Sequence, residues 1–563
     1  MKHVCSFVLR HSLLVAVLFF AFGKTARAQA PAWQGAVVSS GASFRAAAAD
    51  ASGNVYVVGS FNGTVVLGTL ALVSAGSTDA FVAKWSTVTN GFVWAHRAGG
   101  VGSDEALAMA VSGSSVYVTG LFSGTAAFGP ISLTSAGQTD LFVTKLTDAG
   151  AAGSFAWAQR AGGAAGSARP YAIGVSGANV YITGEFLGTF SLGAAGNLTT
   201  TSTGNSDGFL AKLTDAGGTA GFTWAQRLGG SGIDGCSGLA VNGSSVYVTG
   251  EFSGTAVLGT LGLVSVGNFD VFVAKLTDTG PTGSFVWAQR AGGVGFDYSN
   301  ALAVNGGSVY VTGSFNGTAG FGATTLASNG AEDLYVAKLM DAGTAGSFTW
   351  AQRGGGGGSD GGSGLAVSGP NVYVTGHFVG VAALGTLGLV SAGSLDVFVA
   401  KLTDAGSTGS FVWAQSAGGT SYDVGVGVAV SGASVFVAGQ VTLPTSFGSF
   451  TFATPAGNTG GALASLRDPA LSATASPLLS AAIGLFPNPA RTAATVRLPA
   501  VPGAATATLT LLDALGRAVR TQLVPLPAAG ATVELALAGL APGLYRLRVQ
   551  AGGQQTSRAL AVE

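Results

Sequence analysis

Histidines and cysteines are scarce in this sequence of 563 residues. The histidines are His3, His11, His96 and His377, and the cysteines are Cys5 and Cys236. His96 and His377 occupy different positions of a repeated pattern, so neither a two-histidine metal site nor a serine-histidine-aspartate triad is indicated. Cys5 falls in a predicted export signal, which leaves Cys236 alone and excludes a disulfide framework within the chain. These residue types therefore predict no catalytic residues, no metal ligands and no cofactor.

Carboxylates are the better candidates, because five aspartates share one position of a repeated glycine-rich turn. They are Asp104, Asp234, Asp297, Asp360 and Asp423. Tyr298 and Tyr422 adjoin two of them, and Tyr171 and Phe296 lie in turns of the same kind. Carboxylates and aromatic rings gathered at one face suit a cation such as calcium, or a sugar held by ring stacking and hydrogen bonds. The alternative, which the glycine-rich context favours, is that each aspartate only stabilises its own turn.

These turns belong to a long internal repeat that seven tryptophans mark. They are Trp33, Trp94, Trp157, Trp224, Trp287, Trp350 and Trp413, at intervals of 61 to 67 residues. Each unit contains WAQR, a glycine-rich turn, an ALAV-like run, VYVTG, an apolar insertion and D-x-FVAKL. Runs of β-branched and aromatic residues between turns predict four short strands per unit. The insertion either extends the second strand or forms an extra hairpin.

A four-stranded unit cannot bury both of its faces alone, so seven units predict an all-β fold, a seven-bladed β-propeller over residues 31–467. The last unit lacks a fourth strand with tryptophan, whereas residues 32–38 resemble a fourth strand without a preceding unit. We therefore predict that the N-terminal strand completes the last unit and closes the ring. Lysine and arginine also recur once per unit, as Lys275 and Arg290 do near Asp270, which predicts hydrogen bonds between blades.

The repeat resembles the secreted bacterial β-propeller repeats of the SBBP type. The resemblance rests on the D-x-F-V-A-K-L segment, the glycine-rich turn and the Y-V-T-G strand, and it covers roughly residues 31–467. It implies the propeller fold. It leaves the activity open, because propellers serve as binding proteins, lyases, hydrolases and inert scaffolds alike.

A separate domain follows the repeat. Residues 468–482 lack periodicity and predict a linker, and alternating strands over residues 483–563 predict a small Ig-like β-sandwich. Its motifs F-P-N-P, D-x-x-G-R and G-L-x-P-G-x-Y contain Phe486, Pro487, Asn488, Pro489, Asp513, Gly516, Arg517, Gly539, Pro542, Gly543 and Tyr545. The domain resembles the type A C-terminal sorting domains of the type IX secretion system of Bacteroidetes. That resemblance implies passage across the outer membrane by the secretion machinery, cleavage by its sortase, and release or attachment at the cell surface.

Residues 1–28 have the features of a Sec signal peptide. Lys2 and Arg10 precede an apolar run at 13–22, and Ala26-Arg27-Ala28 matches a cleavage site, so we predict cleavage after Ala28. The apolar run is shorter than the ~20 residues of a spanning helix, so the mature chain is predicted to have no transmembrane helix. Charged residues make up 9% of the chain and the formal net charge is zero, so nucleic acid is not an expected partner.

The leading functional hypothesis is an exported or surface-attached scaffold that binds glycans or extracellular proteins without catalysis. The alternative is a carbohydrate-active lyase or hydrolase that uses aspartates and tyrosines at the ring mouth, since paired carboxylates suffice for glycoside hydrolysis. A third hypothesis is a purely structural surface-layer protein. The units are so similar in sequence that none of them is marked as the active one.

Overall fold

The computed structural model describes residues 30–563 except 165, 193–197, 454–456, 473–482, 502–503, 505, 514–517, 528 and 552–553. The predicted signal peptide and most of the predicted linker lie outside these residues. The described chain is all-β apart from one helical turn, α1 (Pro469–Ser472). None of its helical segments has the length and apolar character needed to cross a bilayer.

The repeat region contains strands β1 to β41. In chain order they are β1 (Trp33–Ser40), β2 (Ala42–Ala49), β3 (Val55–Phe61), β4 (Thr64–Leu67), β5 (Leu70–Val73), β6 (Asp79–Ser86), β7 (Gly91–Gly100), β8 (Glu105–Ser112), β9 (Ser115–Phe122), β10 (Thr125–Phe128), β11 (Ile131–Thr134), β12 (Asp140–Asp148), β13 (Gly153–Gly162), β14 (Gly166–Ser176), β15 (Asn179–Leu192), β16 (Leu198–Thr201), β17 (Asp207–Asp215), β18 (Ala220–Gly230), β19 (Asp234–Asn242), β20 (Ser245–Phe252), β21 (Thr255–Leu258), β22 (Leu261–Val264), β23 (Asp270–Asp278), β24 (Gly283–Gly293), β25 (Asp297–Asn305), β26 (Ser308–Phe315), β27 (Thr318–Phe321), β28 (Thr324–Ala327), β29 (Asp333–Asp341), β30 (Gly346–Gly356), β31 (Gly361–Ser368), β32 (Asn371–Phe378), β33 (Val381–Leu384), β34 (Leu387–Val390), β35 (Asp396–Asp404), β36 (Gly409–Gly419), β37 (Val424–Ser431), β38 (Ser434–Thr442), β39 (Thr445–Phe447), β40 (Phe450–Phe452) and β41 (Thr459–Arg467).

Among these strands, seven groups of four antiparallel strands recur, and we number them along the chain as sheets 1 to 7; docked hairpins extend four of them to six strands, and β15 joins sheets 2 and 3 into one larger sheet. The strand orders are β2-β3-β6-β7 in sheet 1, β8-β9-β12-β13 in sheet 2, β14-β15-β17-β18 in sheet 3, β19-β20-β23-β24 in sheet 4, β25-β26-β29-β30 in sheet 5, β31-β32-β35-β36 in sheet 6 and β37-β38-β41-β1 in sheet 7. The four strands predicted for each unit are thus present, in sequence order from the first strand outward.

The second strand of each sheet is buried on both faces, which explains why the sequence reads as a continuous apolar run there. In β26, every residue after Ser308 is buried. The glycine of VYVTG is required by close packing: a Cβ at Gly313 would overlap the carbonyl oxygen of Tyr298 on β25. The ladder shifts by one residue between Ser299 and Ala301, which is the position of a β-bulge. Glycine therefore marks the bulge in each unit.

The apolar insertion forms a hairpin that docks on the preceding sheet. In unit 5, β27 pairs with β28 and also with the end of β24, where Gly292 and Gly293 lie opposite Gly320 and Ala319. The glycine pair that ends the fourth strand is needed because a Cβ at Gly293 would overlap the carbonyl oxygen of Thr318. Unit 3 differs, because β15 runs from the second strand into the insertion without a break and its end pairs with β13.

Sheet 7 combines the two ends of the repeat region. β1 pairs with β41 over its whole length, and the central pair is Ala36 opposite Ala464. The tryptophan spacing assigned Trp33 to the position of the repeated tryptophan, and this assignment was wrong. Trp33 lies opposite Leu466, as Phe285 lies opposite Leu276 in sheet 4, and Gly35 takes the place opposite Ser465 that tryptophan takes in the other sheets.

The first strands of successive sheets lie side by side, and β37 of sheet 7 lies beside β2 of sheet 1. The Ser431 hydroxyl at the end of β37 donates a 2.8 Å hydrogen bond to the carbonyl oxygen of Asp50. Phe436 and Leu463 of sheet 7 share a buried core with Phe44 and Phe81 of sheet 1. A cavity of about 180 Å³ is lined by the first strands of six of the seven sheets.

The C-terminal region contains two further antiparallel sheets around one core. The strands are β42 (Gly484–Phe486), β43 (Ala493–Leu498), β44 (Thr506–Leu512), β45 (Ala518–Pro525), β46 (Ala531–Ala536), β47 (Gly543–Ala551) and β48 (Gln554–Val562). Their orders are β42-β43-β46 and β45-β44-β47-β48. Val496, Leu509, Leu535 and Leu547 are buried between them.

Candidate functional site

An aspartate at the end of the third strand is held by three side chains of the preceding sheet. Asp341 Oδ2 accepts hydrogen bonds from Lys275 Nζ and Tyr247 OH, both at 2.6 Å, and its Oδ1 accepts one from Trp287 Nε1 at 3.0 Å. The same three donors recur around Asp148, Asp215, Asp278 and Asp404. Burial would raise the pKa of Asp341, but these bonds outweigh it and lower the pKa to about 2. The repeated lysine, tyrosine and tryptophan are therefore structural.

The predicted hydrogen bonds between blades exist, but their partners differ from the expected ones. Lys275 pairs with Asp341 of the next sheet, whereas Arg290 pairs with Asp270 within its own sheet at 2.6 Å. Asp468, assigned by sequence to the linker, takes the equivalent place in sheet 7. Its Oδ2 accepts from Tyr373 OH at 2.6 Å and lies 2.8 Å from Lys401 Nζ. The repeat region thus includes at least this residue.

The five candidate aspartates of the turns are buried inside the sheets. Each is at most 1% exposed: Asp104, Asp234, Asp297, Asp360 and Asp423. Asp297 Oδ2 accepts a hydrogen bond of 2.7 Å from the backbone N–H of Gly293. A Cβ at Gly292 would lie 2.7 Å from that oxygen and 2.8 Å from Asp270 Oδ1, so the two carboxylates adjoin. These contacts support the alternative that the aspartates stabilise their turns.

Burial of these carboxylates also changes their protonation. It raises the pKa of Asp297 to about 7 and those of Asp104 and Asp234 to about 6, with a smaller contribution from the neighbouring aspartate. Among the described residues, no group of three or more histidine, cysteine or acidic side chains is placed to hold a metal ion. The aspartates face the protein interior, in agreement with the turn-stabilising alternative that the glycine-rich context favours.

His96, His377 and Cys236 lie on three different sheets, numbers 1, 6 and 4. His96 packs against Trp94 and Phe155, and burial lowers its pKa. Burial also lowers the pKa of His377. Cys236 is buried, and burial raises the pKa of its thiol. All three therefore favour the uncharged form.

Two glutamates that sequence reasoning passed over lie together on sheets 3 and 4. They follow the VYVTG strand at equivalent positions, Glu185 on β15 and Glu251 on β20. A Cβ at Gly235 would lie 3.2 Å from Glu251 Oε1 and 3.7 Å from Glu185 Oε2, so the carboxylates flank this glycine. Tyr171 OH donates a 2.7 Å hydrogen bond to Glu185 Oε1. Burial, and then the negative charge of Glu185, raises the pKa of Glu251 to about 8.

An aromatic trio, Phe269, Phe296 and Tyr298, lies at the same end of sheets 4 and 5. Phe296 and Tyr298 are nearly parallel, with ring centroids 6.2 Å apart, and Phe269 is 5.9 Å from each. Phe296 is 41% exposed. Burial and the charges of Glu332 and Glu251 raise the pKa of Tyr298, so carboxylates border the trio. Tyr422, the other tyrosine candidate, is exposed in the turn that enters sheet 7.

The sequence did contain a signal for the glutamates. The residue after VYVTG varies between units while its neighbours stay constant: Ser60, Leu121, Glu185, Glu251, Ser314, His377 and Gln440. Variation at one position of an otherwise constant repeat indicates a surface free of the packing that fixes the other positions. Tyr298 was among the predicted residues, and the structure places it in a stack with Phe296.

Two motifs of the C-terminal domain form hydrogen bonds that hold its strands and turns. Asn488 Nδ2 donates to the carbonyl oxygen of Ala559 at 2.8 Å, and its Oδ1 accepts from the N–H of Ala561 at 2.9 Å. Tyr545 OH donates to the carbonyl oxygen of Ala541 at 2.8 Å, which ties the turn before β47. Gly539 adopts a φ of 83°, which favours glycine. Gly516 and Arg517 lie outside the described residues.

The comparisons with known proteins agree with this assignment of the C-terminal region. Residues 484–563 match the family model described as the secretion system C-terminal sorting domain. The predicted sorting domain is thereby confirmed, and the match supports export through the type IX secretion system to the cell surface or the extracellular space. None of the curated proteins matches this chain.

Solved structures with a similar chain trace include two from other organisms. A Trypanosoma rangeli sialidase in complex with sialic acid is 11% identical with a TM-score of 0.31, and the match covers 84% of this chain and 85% of the sialidase chain. Dimeric latent PorU from Porphyromonas gingivalis is 12% identical with a TM-score of 0.13, covering 71% of this chain and 34% of the PorU chain. Both TM-scores are too low to carry a functional argument.

Proposed function

We propose that the seven sheets form a closed seven-bladed β-propeller, in which β1 completes the last blade. The proposal is supported by the β1–β41 ladder, by the contact of β37 with β2, and by the single cavity that the first strands of six sheets line. Radial closure protects the inner edges of the sheets, which a linear stack would leave open at both ends. The SBBP-type repeat and the boundaries 31–467 belong to this proposal.

The exported protein, in this proposal, first crosses the inner membrane by the signal peptide of residues 1–28. The type IX machinery of a Bacteroidetes cell then carries it outward, and its sortase removes the C-terminal domain. Support comes from the apolar run at 13–22 and from the sorting-domain match. Expression of the full chain with Val17→Asp, which places a charge in that apolar run, tests the first step. Retention of the unprocessed chain in the cytoplasm is the expected result, and normal export would contradict it.

At the cell surface or outside the cell, the propeller acts as a binding scaffold for glycans without catalysis. The observation that carries this proposal is the aromatic trio, because exposed stacked rings beside carboxylates offer both contacts that a sugar needs. Aromatic faces pack on the apolar face of a sugar ring, and carboxylates accept hydrogen bonds from its hydroxyls. The low charge of the chain argues against polyanionic partners.

A binding panel tests this proposal. The full exported chain is presented with soluble oligosaccharides of cellulose, xylan, mannan and chitin and with extracellular-matrix proteins. We expect saturable binding to at least one saccharide, weakened at least tenfold by Phe296→Ala. Val294→Ala is the matched control, because Val294 is an exposed apolar residue of the same turn. Binding to none of the saccharides, or equal loss in both variants, would overturn the glycan proposal.

A carbohydrate-active enzyme is the second candidate, favoured by the glutamate pair. With its pKa raised to about 8, Glu251 stays protonated at neutral pH beside Glu185. Glycoside hydrolysis uses a protonated carboxyl group as the general acid and a second carboxylate as the base or nucleophile. The glutamates replace the aspartates Asp297 and Asp360 in this hypothesis, because those are buried. Release of reducing ends from a polysaccharide, abolished by Glu251→Gln, would establish it. No release from any panel member would eliminate it.

A further inference from the structure

Unit 3 differs from the other units at the turn that enters its first strand. In sheets 4 and 5 the ladder places Asp234 opposite Phe252 and Asp297 opposite Phe315. In sheet 3 the residue opposite Phe186 is Ala168, because this turn is one residue longer. The buried carboxylate that five other turns carry is therefore replaced here by a methyl group, as it is in sheet 1, where Ala42 lies opposite Phe61.

A pocket of about 470 Å³ occupies the space next to Ala168, between sheets 2 and 3. Its walls include Leu121 and Thr139 of sheet 2, and Phe186 and Leu187 of sheet 3. Pockets that hold small molecules or single sugar rings span about 300–1,000 Å³ and combine apolar walls with a few polar groups. The volume and the lining of this pocket are of that kind.

Two charged side chains face this pocket. Arg169 and Glu185 lie directly opposite each other on β14 and β15, and both line the pocket. Glu185 is held by the hydroxyl of Tyr171, and the guanidinium carbon of Arg169 lies 5.7 Å from the centre of the Tyr171 ring. In the part of the chain that the structure describes, Arg169 forms no ion pair, whereas the arginines of the Arg290 type each pair with a buried aspartate. Its donors are available to a ligand.

We propose that this pocket between sheets 2 and 3 binds one uncharged, hydroxyl-rich sugar ring of a polysaccharide. One arginine and one glutamate give the lining no net charge, so they suit hydroxyl groups that can both accept and donate hydrogen bonds better than they suit an anion. Ser167, Thr139 and Ser206 add further polar groups.

The position of the pocket fits a polymer rather than a monosaccharide. Thr139, Ser206 and Phe269 occupy equivalent places, immediately before the third strands of sheets 2, 3 and 4. The pocket, the glutamate pair and the aromatic trio therefore follow one another at the same end of consecutive sheets. A chain of sugars running from the pocket towards Phe296 would contact all three. This inference rests on the proposed glycan binding and names the subsite that anchors it.

Restoring the aspartate of the other units tests the pocket directly. Calorimetric titration of the full exported chain uses the neutral saccharides of the panel and polygalacturonate as an anionic comparison. We expect Ala168→Asp to narrow the pocket and add a negative charge to its wall, and so to weaken binding of the neutral saccharide at least tenfold. The fold should tolerate the change, because five other units carry aspartate at this place. Arg169→Ala and Glu185→Gln remove hydrogen bonds without filling space, and we expect each to weaken binding about tenfold. Val101→Asp is the matched control, since it adds the same charge at a side chain that is 80% exposed in a neighbouring turn.

The outcomes separate this inference from the proposed function. No saccharide binding by the unaltered chain would contradict both. Binding that survives all three pocket variants but is lost in Phe296→Ala would overturn the pocket and leave the glycan proposal standing. Tighter binding of polygalacturonate than of every neutral saccharide would also overturn the inference, because the site would then select an anion.

Discussion

At the scale of single residues, the repeated buried charges are compensated in two different ways. Asp341 and its equivalents are ionised and paired across a sheet boundary. In the part of the chain that the structure describes, Asp297 has no cationic partner of its own and adjoins Asp270, which pairs with Arg290. The same arrangement recurs at Asp104, Asp234 and Asp360. An ionised carboxylate that is buried needs such pairing, because burial alone favours the protonated form. The two sets therefore contribute to stability in opposite pH ranges.

Removal of Asp341 is expected to be costly. Asp341→Ala leaves Lys275 and Tyr247 buried without their acceptor, and loss of one partner of a buried pair destabilises by about 3–5 kcal/mol. Guanidinium unfolding followed by tryptophan fluorescence measures the change. The control is Arg45→Ala, whose pair with Glu105 spans 3.9 Å with side chains that are 44% and 29% exposed. We expect that change to cost less than about 1 kcal/mol, and equal costs for the two variants would refute the structural role.

The turn aspartates predict an unusual dependence of stability on pH. Asp297 has a folded pKa of about 7, above its unfolded value near 4, so its contribution is present below about pH 4 and is lost as the pH rises through 7. The lowered pKa of Asp341 acts in the opposite sense, and its contribution is lost as the pH falls from 4 towards 2. We expect the melting temperature to be highest near pH 4–5 and to decline towards pH 8.

Asp297→Asn should flatten that decline, because an amide does not ionise. The measurement is the melting temperature of the variant and of the unaltered chain between pH 4 and 8. Glu563→Gln, at a half-exposed residue of the other domain, should leave the slope unchanged. A slope that is identical in Asp297→Asn and the unaltered chain would show that Asp297 titrates at its ordinary pKa.

Residue types were predicted better than residue partners. The sequence indicated that the repeated lysine, arginine and aspartate form hydrogen bonds between blades, but it did not identify which aspartate each lysine meets. The partner of Lys275, Asp341, lies 66 positions ahead. Only the three-dimensional arrangement of two sheets identifies that partner. The inward orientation of Asp297 agrees with the turn-stabilising role that the glycine-rich context favoured.

At the scale of elements, glycine pairs determine where the hairpins dock. The backbone of Gly293 lies so close to that of Thr318 in the hairpin β27–β28 that a Cβ would overlap it. The backbone N–H of Gly293 also donates a hydrogen bond to Asp297. The presence of the strands could be predicted from the sequence, because each unit alternates runs of β-branched residues with glycine-rich turns. The docking of a hairpin on the preceding sheet did not follow, because either an extended strand or a hairpin satisfies the same apolar pattern.

Substitution of Gly293 is expected to release the hairpin of unit 5. In Gly293→Val, the added side chain overlaps the backbone of Thr318, so β27–β28 should separate from β24 and lose protection from hydrogen exchange over residues 318–327. Gly320→Ala is the matched control on the hairpin itself, where the nearest heavy atom to an added Cβ is 3.7 Å away. Unchanged protection in Gly293→Val would contradict the role assigned to the glycine pair.

At the scale of the whole molecule, the junction between sheets 7 and 1 lacks the tryptophan, tyrosine and lysine that the other sheets contribute to their junctions. Gly35, Phe436 and Ser465 stand where the other sheets carry tryptophan, tyrosine and lysine, and a cavity of about 110 Å³ lies among them. The hairpin β4–β5 forms its own two-stranded sheet, without a ladder to β1 in the described residues. The two ends are joined by the ladder between β1 and β41 and by the contacts of β2 with sheet 7, so the N-terminal strand contributes to the integrity of the repeat region.

The organisation into seven units was predictable because the tryptophan spacing repeats so regularly, and the missing fourth strand of the last unit pointed to β1. The register of β1 was not predictable, because Trp33 takes the place of a phenylalanine and only the ladder with β41 reveals the shift. The specialised pocket of unit 3 was equally hidden, since it depends on one additional residue in a turn.

The most direct test of the account is a disulfide between β1 and β41. Ala36 and Ala464 are direct partners across the antiparallel ladder, so their Cα atoms lie about 4.5–5.5 Å apart, within the range that a disulfide spans. Ala36→Cys combined with Ala464→Cys should form this bond quantitatively under mild oxidation, and peptide mapping should join residues near both ends of the repeat region. The pair Ala36→Cys with Ala337→Cys, a buried residue of sheet 5, serves as the control and should not form it. If Ala36→Cys and Ala464→Cys remained unlinked in the folded protein, the N-terminal strand would not complete the seventh sheet. That result would contradict the proposed closed ring and the binding face assigned to it.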